Sequence, residues 1–154
     1  MRLASTRDAR LHAVADEHAF DLTDALGLVP GPGGPLLAFL ERGGSLVELA
    51  ALDLDALPER PLAELDLAAP IARPGKVVGA PVNYLDHKAE MGEQRTIADY
   101  GVFLKASSSV IGPGERVRLP YRDVRTDHEG ELAVVIGRTA SRVSAQDALA
   151  HVFG

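Results

Sequence analysis

The chain contains no cysteine, which excludes disulfides, thiolate nucleophiles and sulfur-ligated metals. It also lacks any apolar run near the roughly 20 residues needed to cross a bilayer. The N-terminal stretch Met1–Asp8 has no apolar core of the kind a secretory signal carries. Basic residues are the minority: 16 Lys and Arg stand against 22 Asp and Glu, a formal net charge of -6. That balance offers no basic footprint for nucleic acid or anionic lipid and favours solubility. The expected compartment is the cytoplasm, with neither nucleic acid nor membrane as a partner.

What is present is enough to fold. The chain has 154 residues, 46% of them hydrophobic, with mean hydropathy near zero. This fits one domain, or a small lobe plus part of a larger one, with a real core. The texture changes near residue 70, dividing the chain into an N-terminal lobe over 1–70 and a second segment over 71–154.

The lobe reads as α/β. Leu11–Ala15 and Ala19–Leu22 are short strand candidates around a polar turn. Pro30–Gly34 breaks the chain, and Pro35 opens a helix whose stripe is Leu36, Leu37 and Leu40, ending at Gly43-Gly44. Ser45 is the N-cap of a second helix, with Glu48 placed to complete a capping box. Pro58, Pro61, Pro70 and Pro74 then punctuate a linker-like stretch. His12 and His18 have no partner at ligand spacing and read as structural or exposed.

The second segment is read as mainly β. Lys76–Ala80 and Gly101–Lys105 are expected strands, with shorter ones at Val110-Ile111 and Val117–Pro120. Between the first two, Leu85–Met91 is expected to be helical and to stop at Gly92. On that helix His87 and Glu90 are three apart and share a face. A carboxylate beside an imidazole fixes its orientation, an arrangement suited to general-base work; an exposed surface pair is the alternative. Lys105 could meet a substrate carboxylate or simply end a strand. Ser107–Ser109 lacks a partnered base and is not read as a nucleophile. Ser144 is the expected N-cap of a helix over 145–150.

The densest chemistry lies in Asp127-His128-Glu129-Gly130-Glu131-Leu132-Ala133-Val134-Val135-Ile136-Gly137. Glu129 and Glu131 run into a β-branched stretch expected to be a strand, whose period of two puts both carboxylates on one face. Like charges so close repel, and a hard divalent cation bound through oxygen relieves the repulsion. Two solvated acids on an edge strand are the other reading.

From about Arg73 to Gly154 the chain resembles the fumarylacetoacetate hydrolase family. The likeness rests on three blocks in order: Lys76–Glu90 with Asn83-Tyr84 and His87-x-x-Glu90, then Phe103–Ser109, then Asp127–Gly137. Residues 1–70 are loosely similar to the variable N-terminal lobe of bacterial members. The resemblance implies an α+β fold: a small N-terminal α/β lobe followed by an incomplete, mainly β roll of the family's type. It implies a divalent metal held by Glu129 and Glu131, Mg²⁺ foremost with Mn²⁺ or Ca²⁺ as alternatives. His87, held by Glu90, would activate water or move a proton, and Lys105 would help place the substrate.

The substrates so implied are small 2-oxo or β-diketo acids. The reaction is C–C hydrolysis, decarboxylation or keto–enol isomerisation, in a homodimeric enzyme. Two departures stand out. Ala80-Pro81-Val82 occupies the place of a Gly-Leu-type turn. The family also continues into a Gly-Tyr strand and an Asn-Asp turn that brings the third protein ligand, whereas this chain stops at Gly154. The resemblance therefore implies a fragment, inactive alone, with a non-catalytic remnant acting as a structural or interaction module as the alternative.

Overall fold

The computed structural model describes all residues from Met1 to Gly154. The chain forms two compact units: Met1–Ala72 together with Ile111–Gly154, and Arg73–Val110.

The first unit is built on a four-stranded antiparallel sheet in the order β1 (Arg2–Ser5), β2 (Leu11–Ala15), β3 (His18–Asp21) and β4 (Glu59–Pro61). Two tight turns account for the first three strands. Ala9 and Asp16 take positive φ of 64° and 48° in them, a backbone region that Asp tolerates better than most residues. β2 is one of the two inner strands, with Ala13 opposite Leu3 on one side and Phe20 on the other.

Two short helices follow β3. α1 (Pro35–Glu41) starts with Pro at its first position, after Gly34 at φ 89° and ψ 176°, a conformation open essentially to glycine alone. α2 (Leu46–Ala50) is N-capped by Ser45, whose hydroxyl accepts the Glu48 N–H at 3.3 Å. The expected capping box is only half present, because the Glu48 carboxylate instead accepts a hydrogen bond from Arg42 Nη2 at 2.6 Å. A full charge nearby outcompetes a neutral backbone N–H for the same oxygen.

The expected linker over 58–74 is not a linker. It supplies β4, pairs Leu67 with Thr6, and sends the Ala68 N–H to Ser5 O while the Ser5 hydroxyl bonds Pro70 O, each at 2.8 Å. Proline at an edge costs no ladder hydrogen bond, so a Pro-rich strand is admissible there. β1 and β4, unread in the sequence, are both outer strands whose identity comes from pairing.

The core of this unit gathers Leu11, Ala13, Leu22, Leu26, Leu28, Leu36, Phe39, Leu40 and Leu49, with Val135 and Phe153 packed at its margin. His12 is buried beside it, with no hydrogen-bond partner on either ring nitrogen. Burial pushes its imidazole down from the ordinary value, against the attraction of Asp21, whose carboxylate lies 3.9 Å away, and of Asp8. Arg10 and Arg60 push it down further.

The folded protein thus binds this proton less readily than the unfolded chain, whose value is about 6.5. Its contribution is intact above pH of about 6.5 and falls away as the pH drops from there towards the depressed folded value. Urea denaturation at pH 7.5 and 5.5 is expected to show wild type losing stability over that interval, with a slope of at most about 1.4 kcal/mol per pH unit. His12→Gln should flatten the dependence; an equal pH slope in the variant would refute the assignment.

The second unit contains a two-stranded antiparallel sheet, β5 (Val77–Gly79) with β6 (Phe103–Lys105), in which Gly79 faces Phe103. A Cβ on Gly79 would lie 2.4 Å from the Phe103 ring, so the absence of a side chain there lets the ring cross the neighbouring strand. Between the strands run α3 (Leu85–Met91) and α4 (Ile97–Tyr100). As expected, α3 ends at Gly92, which is left-handed with φ 62°.

The expected strands at 110–111 and 117–120 do not form ladders. Residues 131–137 make a single bridge, Ile136 with Val152, flanked by Val135 N–H to Gly154 O and Phe153 N–H to Val135 O. A strand exists only through a neighbour, and these stretches have none along most of their length. The expected helix over 145–150 is a 3₁₀ turn at Ala148–His151, preceded by the Ser144 hydroxyl accepting the Asp147 N–H at 3.2 Å.

Candidate active site

His87 and Glu90 lie on α3, and Lys105 ends β6, all within the unit Arg73–Val110. The helical spacing delivers the pair as expected. His87 Nδ1 is 3.8 Å from Glu90 Oε2, with side chains 45% and 78% exposed. That separation is an ion-pair distance for a protonated imidazole, longer than a hydrogen bond. Lys105 Nζ sits 5.8 Å from the centre of the Phe103 ring, within range of a cation–π contact.

The connection from α3 to α4 is tied together locally. Glu93 accepts Arg95 Nε and Nη2 at 3.1 and 2.9 Å, the Arg95 backbone N–H, and the Tyr100 hydroxyl. Arg95 lies 4.4 Å over the Tyr100 ring. The hydrogen bonds from Arg95, then that from Tyr100, hold the Glu93 carboxyl down to about 2. Thr96 and Asp99 form a complete capping box at the start of α4. Nothing in the spacing of a lone Glu, Arg and Tyr marked this cluster in the sequence; the capping pattern Thr-x-x-Asp was the visible signal.

Glu129 and Glu131 belong to the unit that includes Ile111–Gly154. Both are exposed, on backbone that carries no ladder. They share parity with Val135, which packs at the core margin, whereas Leu132, Val134 and Ile136 are 82%, 55% and 56% exposed. No group of three or more His, Cys, Asp or Glu side chains is assembled at metal-binding distance. The donor set nevertheless suits a hard cation in kind: two carboxylates, neither engaged in an ion pair with a basic side chain. A cavity of about 180 Å³, lined by Ser45, Leu46, Val47, Arg138 and Phe153 among others, involves none of the candidate residues. No helix is long and apolar enough to cross a membrane.

Residues 76–154 match the model of the fumarylacetoacetate (FAA) hydrolase C-terminal family. The chain is 37% identical over 171 aligned positions to maleylpyruvate hydrolase from Aquipseudomonas alcaligenes, covering 100% of this chain and 58% of that protein. It is 36% identical to the human mitochondrial oxaloacetate tautomerase FAHD2A, covering 97% of this chain and 51% of the relative.

Among solved structures, the crystal structure of maleylpyruvate hydrolase from Sphingobium sp. SYK-6 in complex with manganese (II) ion and pyruvate superposes with a TM-score of 0.77. The two are 32% identical, and the match spans all of this chain and 56% of that one. The chain thus spans about half the length of the curated relatives it matches. With the three sequence blocks, the α+β fold and a family model over its second half, the chain belongs to the fumarylacetoacetate hydrolase family.

Proposed function

We propose that this chain carries part of the active site of a divalent-metal-dependent enzyme acting on a small 2-oxo or β-diketo acid. The reaction would be C–C hydrolysis, decarboxylation or keto–enol isomerisation. The observation that carries the reading is the His87–Glu90 pair, presented on the exposed face of α3 with Nδ1 turned to the carboxylate. Glu90 steadies the imidazole, and Nε2 takes a proton from water or from the carbon beside the oxo group, then returns it. Lys105 would hold the substrate carboxylate. Glu129 and Glu131 would hold the metal, Mg²⁺ or Mn²⁺. Bound there, the ion supplies Lewis-acid charge to the oxo-acid oxygens as negative charge develops.

Several supports come from outside the chain. Relatives at 36–37% identity, each about twice as long as this chain, include a hydrolase and a tautomerase, and one related structure holds manganese and pyruvate. The same reading makes the protein longer than these residues, with 71–154 as the beginning of its catalytic domain after a lobe over 1–70. The row Leu132, Val134 and Ile136, apolar and exposed, suits a surface that further chain covers, and a third oxygen donor would come from that chain. A cytoplasmic homodimer completes the proposal.

Calorimetric titration of the complete protein with Mn²⁺ is the test. Saturable binding is expected, weakened at least about tenfold by Glu129→Ala and by Glu131→Ala, since each removes one of few charged ligands. Binding that is absent, or indifferent to both substitutions, would remove the metal role and favour a non-catalytic module of the same fold.

A further inference from the structure

Glu93 makes two sets of contacts, one through its backbone and one through its carboxylate. Its backbone N–H donates to Lys88 O at 2.9 Å, and the Gly92 N–H donates to Ala89 O at 3.2 Å. With Gly92 left-handed at φ 62°, these are the paired bonds of a Schellman closure, which holds the residue after the glycine against the last turn of the helix. The side chain, 18% exposed, engages the other end of the same segment. One carboxylate oxygen accepts Arg95 Nε at 3.1 Å and the Arg95 backbone N–H at 2.8 Å. The other accepts Arg95 Nη2 at 2.9 Å and the Tyr100 hydroxyl. Four hydrogen bonds fill the acceptor capacity of a carboxylate. The Arg95 guanidinium lies 4.4 Å over the Tyr100 ring, so the three side chains touch one another in a closed cycle.

A single exposed ion pair holds its geometry weakly, but a bidentate Arg–carboxylate pair inside a network is the exception. The Glu93 carboxyl, held down to about 2 by these bonds, is ionised at neutral pH. What the cycle connects gives it a functional reading. Lys88, whose carbonyl takes the Glu93 N–H, is the neighbour of His87 in α3. Tyr100 is the last residue of α4, and only Gly101 and Val102 separate it from β6, which ends in Lys105. Lys88, Glu93 and Tyr100 therefore form a continuous hydrogen-bonded path from the helix of His87 and Glu90 to the root of the Lys105 strand. Every residue on that path lies within the one unit Arg73–Val110.

We propose that Glu93 and Tyr100 are positioning residues: their hydrogen bond fastens α3, and with it the His87–Glu90 pair, to the strand that ends in Lys105. The proposal rests on the catalytic reading of His87 for its kinetic consequence, but not for its structural one. Neither residue touches the reacting atoms; each acts through the imidazole. Loosening the clasp slows proton transfer, which is sensitive to small misplacements, and leaves capture of the substrate largely as it was. A clasp that only stabilised the surface would move the unfolding midpoint and leave the turnover of each folded molecule unchanged.

The test is Tyr100→Phe in the complete protein, which deletes one hydroxyl and keeps the ring beneath Arg95. Amide hydrogen exchange of Leu85–Met91 should quicken about fivefold or more, with exchange of β2 unchanged as the internal reference. In oxaloacetate tautomerisation with Mn²⁺, kcat should fall about tenfold with KM within about twofold of wild type. Glu93→Gln keeps the side-chain length but halves the acceptor capacity, and should reproduce both changes. In a His87→Ala background Tyr100→Phe should add nothing, because its effect passes through the imidazole. Unaltered exchange in both variants, an unchanged kcat, or an equal fall in the two backgrounds would each overturn the proposal. If wild type turns over no oxaloacetate, or His87→Ala matches it, the catalytic reading fails and the exchange data alone decide whether the clasp holds α3. Should Tyr100→Phe fail to fold, Glu93→Gln supplies the same comparison.

Discussion

Phe39→Ala is expected to destabilise the protein by about 3–5 kcal/mol, the range for removing a fully buried aromatic side chain. Phe39 has no exposed surface and lies at the centre of the cluster that joins α1 to β2. Its ring meets Phe153 edge-on, with centres 6.1 Å apart at 64°. It also lies so close to Gly44 that a Cβ there would fall 2.4 Å from it. Arg42 stacks over the same ring at 5.0 Å. Truncation therefore forfeits the burial of the ring and leaves a void walled by backbone at Gly44, which cannot collapse cheaply.

Because whole domains are stable by only about 5–15 kcal/mol, the variant should be substantially unfolded in mild urea. Leu46→Ala, at a site 55% exposed, should stay within about 0.5 kcal/mol of wild type. Urea midpoints that differ by less than the equivalent of about 1 kcal/mol between Phe39→Ala and wild type would mean the core closes over the gap.

On the proposed reading of His87 as the base, His87→Ala gives the second large effect. Loss of a general base costs on the order of 10²- to 10⁴-fold, and the fall should appear in kcat, with KM and Mn²⁺ affinity little changed. On the same reading, Glu90→Ala removes only the group that would steady the imidazole, across 3.8 Å at a largely exposed site. Its cost should be smaller, roughly tenfold, because an exposed pair of this kind holds its geometry weakly. The double variant should be no worse than His87→Ala, since Glu90 acts through the imidazole. Activity of His87→Ala within a few-fold of wild type would dismiss it as the base and leave the pair as a surface contact.

Local rules read well from the chain wherever the deciding atoms are close in sequence. α1 begins at Pro35 and is over by Gly43, and α3 stops at Gly92, as proline and glycine chemistry requires. β2 is read to the residue because a short, largely apolar run stops at a polar turn. The helical spacing of His87 and Glu90 brought the two groups into reach. Readings failed where a distant partner decides. Glu48 was diverted from its capping box by Arg42, six positions away. β4 went unread because its prolines are tolerable only at an edge, and an edge is defined by the strand beside it.

The residue types and spacings alone determined the chemistry on offer: hard oxygen donors at Glu129 and Glu131, an imidazole with its carboxylate at His87 and Glu90, no sulfur, and no basic surface. They also carried the family likeness. Tertiary structure decided burial and strain, which depend on neighbours remote in the chain. It buried His12 without a hydrogen-bond partner, turned Val135 rather than Val134 towards the core, and forced Val82 to a positive φ at the root of α3. A side chain's chemistry is local to its residue, but the cost of exposing, burying or twisting it is set by everything packed around it.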